Sequence, residues 1–313
     1  GLLDRKDLLP EIVDGSKITY PLSKEAASIT GLLSGTPVSL AYLDAVCSFI
    51  GSGGFDPSKD VGSRILGTTG AHMKSSDVSK IKLDLRAKTG YVIVLPIPNL
   101  ALQLQTNMSG TLNIDWLSSL AVDLFEEFNV KIETDDIISK IDEWINLTNP
   151  GKLLYHPYIS DAGERGPFID SQACSSLIGL KIGHRYPEIM RAVIEGLSMA
   201  SRDCYLAMGK IPQEIRLAGG ASQSKALRKI FASALKASVR TSHRNEPGAT
   251  GAAMIGAMSI GLYDNWDECI SEWVTPLLGN LEEYDKKLSQ VYDGLFNIYF
   301  DSRISLASIW PKL

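Results

Sequence analysis

Hydrophobic residues recur at helical spacing between Glu188 and Met208. Ile189, Val193, Leu197, Ala200 and Cys204 share one face, which predicts a long amphipathic helix there. The same period predicts helices over residues 113–125, 223–236 and 281–298. Residues 248–262 form a helix rich in Gly and Ala, a composition that allows close packing. Ser23 is a plausible cap for a short helix reaching Thr30. Period-two alternation over Ala101–Gln105 predicts a strand exposed on one face. Short apolar runs predict further strands at residues 38–43, 65–66, 90–95, 215–218 and 239–242. The stretch from Gly51 to Gly62, rich in Gly, Ser, Pro and Asp, is the best linker candidate. Strands that then alternate with helices fit a layered α/β domain.

Glycines interrupt this pattern where strands end. Leu217-Ala-Gly-Gly-Ala-Ser-Gln-Ser224 reads as a buried strand that stops at Gly219 and Gly220 and opens a helix. Such a junction exposes backbone N–H groups and the positive end of a helix dipole. Two glycines let a flat or anionic ligand lie against bare backbone. Alone, a Gly-Gly turn is more often ordinary punctuation between elements. Two further pieces stand upstream. Arg64-Ile-Leu-Gly67-Thr68-Thr69-Gly70 is a strand running into a turn with two hydroxyls. Gly35-Thr-Pro-Val-Ser-Leu-Ala-Tyr-Leu-Asp44 is an apolar run that ends on a carboxylate. Asp44 taken alone reads more readily as a helix cap than as a catalytic group.

Composition narrows the function. The 313 residues carry a formal charge of −5 with no basic cluster, which argues against nucleic acid or an anionic membrane as partner. No stretch approaches the ~20 apolar residues of a membrane helix. Cytoplasm is the default location. The four cysteines are widely spaced and read as isolated reduced thiols. His72, His156, His184 and His243 are scattered, have no metal-ligand spacing, and read as structural. No G-x-G-x-x-G follows a strand, which removes a dinucleotide-dependent oxidoreductase from consideration.

Six motifs occur in a fixed order: Gly-Thr-Pro-Val with a following Asp, Gly-Thr-Thr-Gly, Gly-Glu-Arg-Gly-Pro (163–167), Arg-Ala-Val-Ile-Glu-Gly (191–196), Gly-Gly-Ala-Ser (219–222) and Glu-Pro-Gly-Ala-Thr-Gly-Ala-Ala (246–253). Together they resemble the FGGY carbohydrate kinases, which include glycerol, xylulose, ribulose and erythritol kinases. The resemblance runs from about Leu9 to about Tyr263. It implies the ribonuclease H-like, actin-like ATPase fold, with two such domains closing on ATP and sugar. Residues 1–58 are then the tail of a preceding domain of the same fold, and 59–313 the ATP-binding domain.

The resemblance also implies roles. Asp44 is the catalytic base for a sugar or polyol hydroxyl. Gly67, Thr68 and Thr69 form the second phosphate loop. Gly219, Gly220 and Ala221 form the adenine and ribose platform, with Ser224 and Gly110 also toward the nucleotide. Glu246 and Gly251 position the last helix, and Glu164 and Arg165 form an ion pair or anchor a turn. ATP and Mg²⁺ are the implied cofactors, a small sugar or polyol the substrate, and a homodimer is an admissible assembly. The stretches around Gly67 and Asn107–Trp116 resemble erythritol or L-xylulose kinases more than glycerol kinase. The family's Asp-x-Gly-Thr phosphate loop is not in this sequence. The chain therefore reads as the C-terminal portion of such a kinase, inert alone because half a cleft is missing. A non-catalytic nucleotide-binding module of the same fold is the competing reading.

Overall fold

A computed structural model of the chain describes residues 2–8, 10–11, 13–81 and 88–313. Leu9 and Ile12, within the apolar run at the start of the sequence, lie outside the described residues. The first elements are β1 (Thr19–Pro21), α1 (Lys24–Thr30), β2 (Pro37–Ser39) and α2 (Asp44–Gly51). Ser23 caps α1 by accepting from the Ala26 N–H at 3.1 Å, as the sequence suggests. The strand expected over 38–43 is limited to Pro37–Ser39, paired with β1. Ala41 at φ 53° departs from extended backbone and ends it.

One six-stranded sheet organises the rest. It is built from β3 (Val61–Leu66), β4 (Gly70–Asp77), β5 (Tyr91–Val94), β6 (Leu100–Asn107), then β9 (Glu214–Ala218) and β10 (Ser238–Thr241). The spatial order is β10-β9-β3-β4-β6-β5. β3, β9 and β10 run parallel, while β3-β4, β4-β6 and β6-β5 pair antiparallel. Between β6 and β9 come α3 (Leu112–Glu126), α4 (Thr134–Ser139), α5 (Ile141–Leu147), the small hairpin of β7 (Leu154–His156) and β8 (Ser176–Ile178), and α6 (Tyr186–Ala207). The remaining helices are α7 (Lys225–Leu235), α8 (Pro247–Ser259), α9 (Trp266–Trp273) and α10 (Lys286–Leu306).

Two hydrophobic cores flank the sheet. One joins Ile215 and Leu217 to Ile194 of α6, Phe231 of α7 and Tyr292 of α10. The other joins Met73 and Leu102 to Val46 and Phe49 of α2, Ile255 of α8 and Trp266 of α9. Covering both faces explains a departure from the alternation rule. β6 is not open on one face: Gln105 is buried along with Ala101, Leu102 and Leu104. The terminal helix also starts later than its periodicity suggests, because Asp285 caps it by accepting from the Lys287 and Leu288 N–H groups.

The glycine-rich stretch after α2 is packed rather than loose. Ser52 through Phe55 are buried, and Gly53 offers its carbonyl to Arg216. Upstream, α2 crosses α8 with almost no spacing. A Cβ on Gly51 would lie 2.0 Å from the Pro247 carbonyl oxygen, and one on Gly251 would lie 1.9 Å from that of Cys47. Only glycines permit this backbone approach. Among the described residues no helix is long and apolar enough to cross a membrane.

Candidate functional site

The strand order brings three distant turns to one edge of the sheet. β3 and β9 are parallel, so Leu66 and Ala218 end side by side. β4 returns antiparallel from Gly70, and β6 lies antiparallel to β4, so Asn107 stands opposite Gly70. The turns after β3, β6 and β9 must therefore share that edge. The Gly67–Thr69 turn is central. Gly110 donates its N–H to the Thr68 carbonyl at 2.7 Å, and Thr111 donates to Gly67 at 2.9 Å. On the other side Gly219, at φ 98°, lies against Leu66.

The glycines here divide into two kinds. A Cβ on Gly110 would stand 2.4 Å from the Gly67 oxygen, and one on Gly219 would stand 2.4 Å from the Leu66 oxygen. Those two are demanded by turn-to-turn packing. Gly220 has open space where a Cβ would go, and Gly67 meets only the Thr69 oxygen at 3.9 Å. Neither has a φ in the left-handed region. Their bare backbone faces outward, beside the exposed Thr68 and Thr69. The helices α3 and α7 both start at this edge, so their N-terminal dipole ends point there.

Ala221 is half-buried and packs on the core below. Ser224 is tied into the scaffold: its hydroxyl caps α7 by accepting from the Leu227 N–H at 3.0 Å and donates to Asp142. Asp44 is the first residue of α2, exposed at that helix's N-terminus. One carboxylate oxygen accepts from the Ala45 N–H at 2.7 Å. Among the described residues no hydrogen bond or ion pair joins it to the three turns. Glu246 and Gly251 serve α8, as N-cap position and as the crossing point with α2.

A buried polar string holds the β6–α3 turn, and the sequence reading missed most of it. His72 Nε2 meets Asn107 Oδ1 at 2.7 Å, and Asn107 Nδ2 donates to the Gly166 carbonyl at 2.6 Å. Glu164 Oε1 accepts from Met108 and Arg165 N–H groups at 2.9 and 2.8 Å. Glu164 thus anchors a turn, and its carboxylate makes no ion pair with Arg165. Burial pushes the Glu164 carboxyl up to about 7, against the pull of those N–H groups. Burial, aided by Arg64, pushes His72 down to about 3, so it is neutral. Asn107, closing the alternating strand three residues before Gly110, was the available signal. Among the described residues no three His, Cys, Asp or Glu side chains are grouped to hold a metal ion.

Residues 63–260 match the C-terminal domain of the FGGY family of carbohydrate kinases. Erythritol kinase of Brucella abortus is 49% identical over all 313 residues, and the chain spans 60% of that protein's length. Xylulose kinase of Bacillus subtilis is 24% identical over 311 residues, 96% of this chain and 59% of its own length. A crystal structure of ligand-bound xylulose kinase from Lactobacillus acidophilus superposes with a TM-score of 0.85 and 25% identity, across 99% of this chain and 61% of that one. The mixed sheet, with its antiparallel second strand and helices on both faces, is accordingly the ribonuclease H-like fold of the actin-like ATPases. On fold, motif order and sequence together, the chain belongs to the FGGY family of carbohydrate kinases.

Proposed function

We propose that this chain is the ATP-holding part of an ATP-dependent kinase for a small sugar or polyol, with an erythritol-like acceptor. The observation that carries the reading is the convergence of three turns far apart in sequence, with Gly67 and Gly220 left bare for no internal reason. Erythritol is favoured by the 49% identity to the Brucella abortus erythritol kinase along the whole chain. Residues 1–58 form the tail of the sugar-binding unit and 59–313 the nucleotide-binding unit, with α2 locked onto α8 as the joint between them.

Thr68, Thr69 and the backbone N–H groups of the Gly67 turn hold the phosphate tail. The Gly219–Ala221 turn supports the purine and ribose. Gly110 fixes the Gly67–Thr69 turn, and Ser224 sets the start of α7. Asp44 accepts the proton of the acceptor hydroxyl, which is a poor nucleophile until a base begins to remove it. The residues present suit a nucleotide with Mg²⁺. The turns offer bare backbone, and the second Asp44 oxygen has no protein donor among the described residues. When bound, Mg²⁺ neutralises phosphate charge. Most of the rate in phosphoryl transfer comes from positioning and charge stabilisation, so the isolated chain is expected to be nearly inert.

The test uses the full-length protein. ADP release is followed with erythritol, xylulose and glycerol as acceptors, for wild type and Asp44→Asn. Loss of ~10²–10⁴ in kcat with unchanged ATP affinity is the expected outcome for a general base. Equal turnover in the variant would remove Asp44 from the chemistry. ATP binding with no transfer to any acceptor would instead favour the non-catalytic nucleotide-binding module.

A further inference from the structure

Arg64 lies in β3, two residues before Leu66, with its side chain on the α6 and α7 face of the sheet. It is 2% exposed. Its guanidinium carbon stands 4.5 Å from the centre of the Phe231 ring. Among the described residues it makes no hydrogen bond and no ion pair, and its Nε is buried without a partner. Burial lowers its proton affinity, yet at about 10 the group is still a cation at neutral pH. Ring stacking satisfies one face of a guanidinium and leaves its N–H edge unmet. A buried cation without an anion is costly, so it invites a reason.

The surroundings supply one. A small, mostly apolar cavity of about 10 Å³ adjoins Arg64, with Leu66, Ile194, Leu197, Gly110, Thr111 and Ala221 among its walls. That is room for about one water. Two of its walls are the undersides of the turns that converge at the sheet edge. Arg64 therefore lies beneath the floor on which a nucleotide would rest.

We propose that Arg64 is a phosphate-positioning residue: with one water in the cavity as relay, it directs positive charge at the phosphate chain of a bound nucleoside triphosphate. The proposal rests on the ATP reading above. The phosphate supplies the negative charge that the free protein lacks. A neutral purine or ribose could not, because a guanidinium only donates and carries full charge. Arg64 thus favours nucleotides over nucleosides without standing on the surface of the site.

Binding of ATP and of adenosine to the full-length protein is measured by calorimetry for wild type, Arg64→Met and Arg64→Lys, alongside thermal melting. Methionine keeps an unbranched apolar stem at this position but removes the charge and the guanidinium. The expected result for Arg64→Met is at least a tenfold loss of ATP affinity, with adenosine changed less than twofold and ligand-free melting unchanged or raised. In Arg64→Lys the ammonium lacks the planar fork, and the ratio of ATP to adenosine affinity falls at least threefold. A merely structural Arg64 would lower ligand-free melting and weaken both ligands alike, which overturns the proposal. An unchanged affinity ratio in Arg64→Lys also overturns it, should the methionine variant fail to fold. Wild-type protein that binds no ATP would instead refute the nucleotide reading beneath it.

Discussion

Replacing Gly251 with alanine tests how α2 is held, and through it where Asp44 stands. The added methyl would lie 1.9 Å from the Cys47 carbonyl oxygen, against 3.4 Å for an ordinary contact, a shortfall of 1.5 Å. The obstructing atoms are backbone on a helix whose Val46, Cys47, Phe49 and Ile50 are all buried. No side chain can swing aside, so the helices must part. Overpacking of this kind costs roughly 1–3 kcal/mol, and opening a gap of 0.5–1 Å forfeits a quarter to a half of each dispersion contact along the seam. Alanine recovers about 1 kcal/mol of helix propensity. Overpacking less that gain leaves about 0–2 kcal/mol, and dispersion lost along the seam, on the order of 1 kcal/mol, brings the net loss to about 1–3 kcal/mol, a fall of roughly 2–10 °C in Tm for a domain of this size.

Thermal and urea melts read that loss, and steady-state kinetics of the full-length enzyme read its consequence. The three turns belong to other elements, so ATP affinity should hold while kcat falls as Asp44 shifts with α2. Gly294→Ala is the control. It sits within α10 with open space where the methyl would go, and alanine there should stabilise by about 0.5–1 kcal/mol. A Gly251→Ala protein as stable as wild type would show that the α2–α8 seam has slack. The seam would then not be what positions Asp44.

Other expectations are narrower. The Glu164 carboxyl is raised to about 7 in the fold from 4.5, so its contribution to stability is full below pH ~4.5 and is lost as pH rises through ~7. Glu164→Gln cannot titrate, so wild type should lose up to about 3 kcal/mol relative to it between pH 4.5 and 8 in urea melts. A flat difference would refute this. Arg191→Met leaves Glu195 buried at 1% exposure without its 2.7 Å partner, and should cost about 3–5 kcal/mol. The double change Arg191→Met with Glu195→Leu should recover most of that loss. If the double variant is no better than the single, the unpaired carboxylate is not the cause.

Features set by short stretches of chain were readable in advance. The Ser23 cap, the strand over Ile215–Ala218 and the Gly-Gly turn depend on neighbours in sequence. Long helices such as α6 depend on a period that spans many turns. β4 was not foreseen, because its His72, Lys74, Ser75 and Ser76 do not look like a buried strand. It exists because β3 and β6 satisfy its backbone on both sides. The Arg191–Glu195 motif was visible only as a resemblance. Its physical meaning, a clamp from α6 onto the Ile145 and Thr148 carbonyls at the C-terminal end of α5, needed the tertiary structure. Each turn of the candidate site could be found separately. That Gly110 packs on Gly67 and Gly219 on Leu66 follows from strand order, which no local pattern encodes.

The two buried arginines of the central sheet show how structure separates a scaffold charge from one that awaits something. Arg216 on β9 and Arg64 on β3 are both 2% exposed and lie on adjacent parallel strands, but face opposite cores. Arg216 is saturated: it donates to the Gly53 carbonyl, to Asp56 at 2.8 Å and to Glu214 at 3.2 Å. Those bonds fasten the chain after α2 to the sheet, so Arg216 explains its own burial. Arg64 meets an aromatic ring and a small cavity, and among the described residues it forms no ion pair. Solvation physics treats the two alike, since each must be compensated or leave a penalty in the fold. The compensation for Arg216 is internal and constant. For Arg64, on the proposal above, it comes with a bound phosphate through the turns above it, on the side where the helix dipoles already favour an anion.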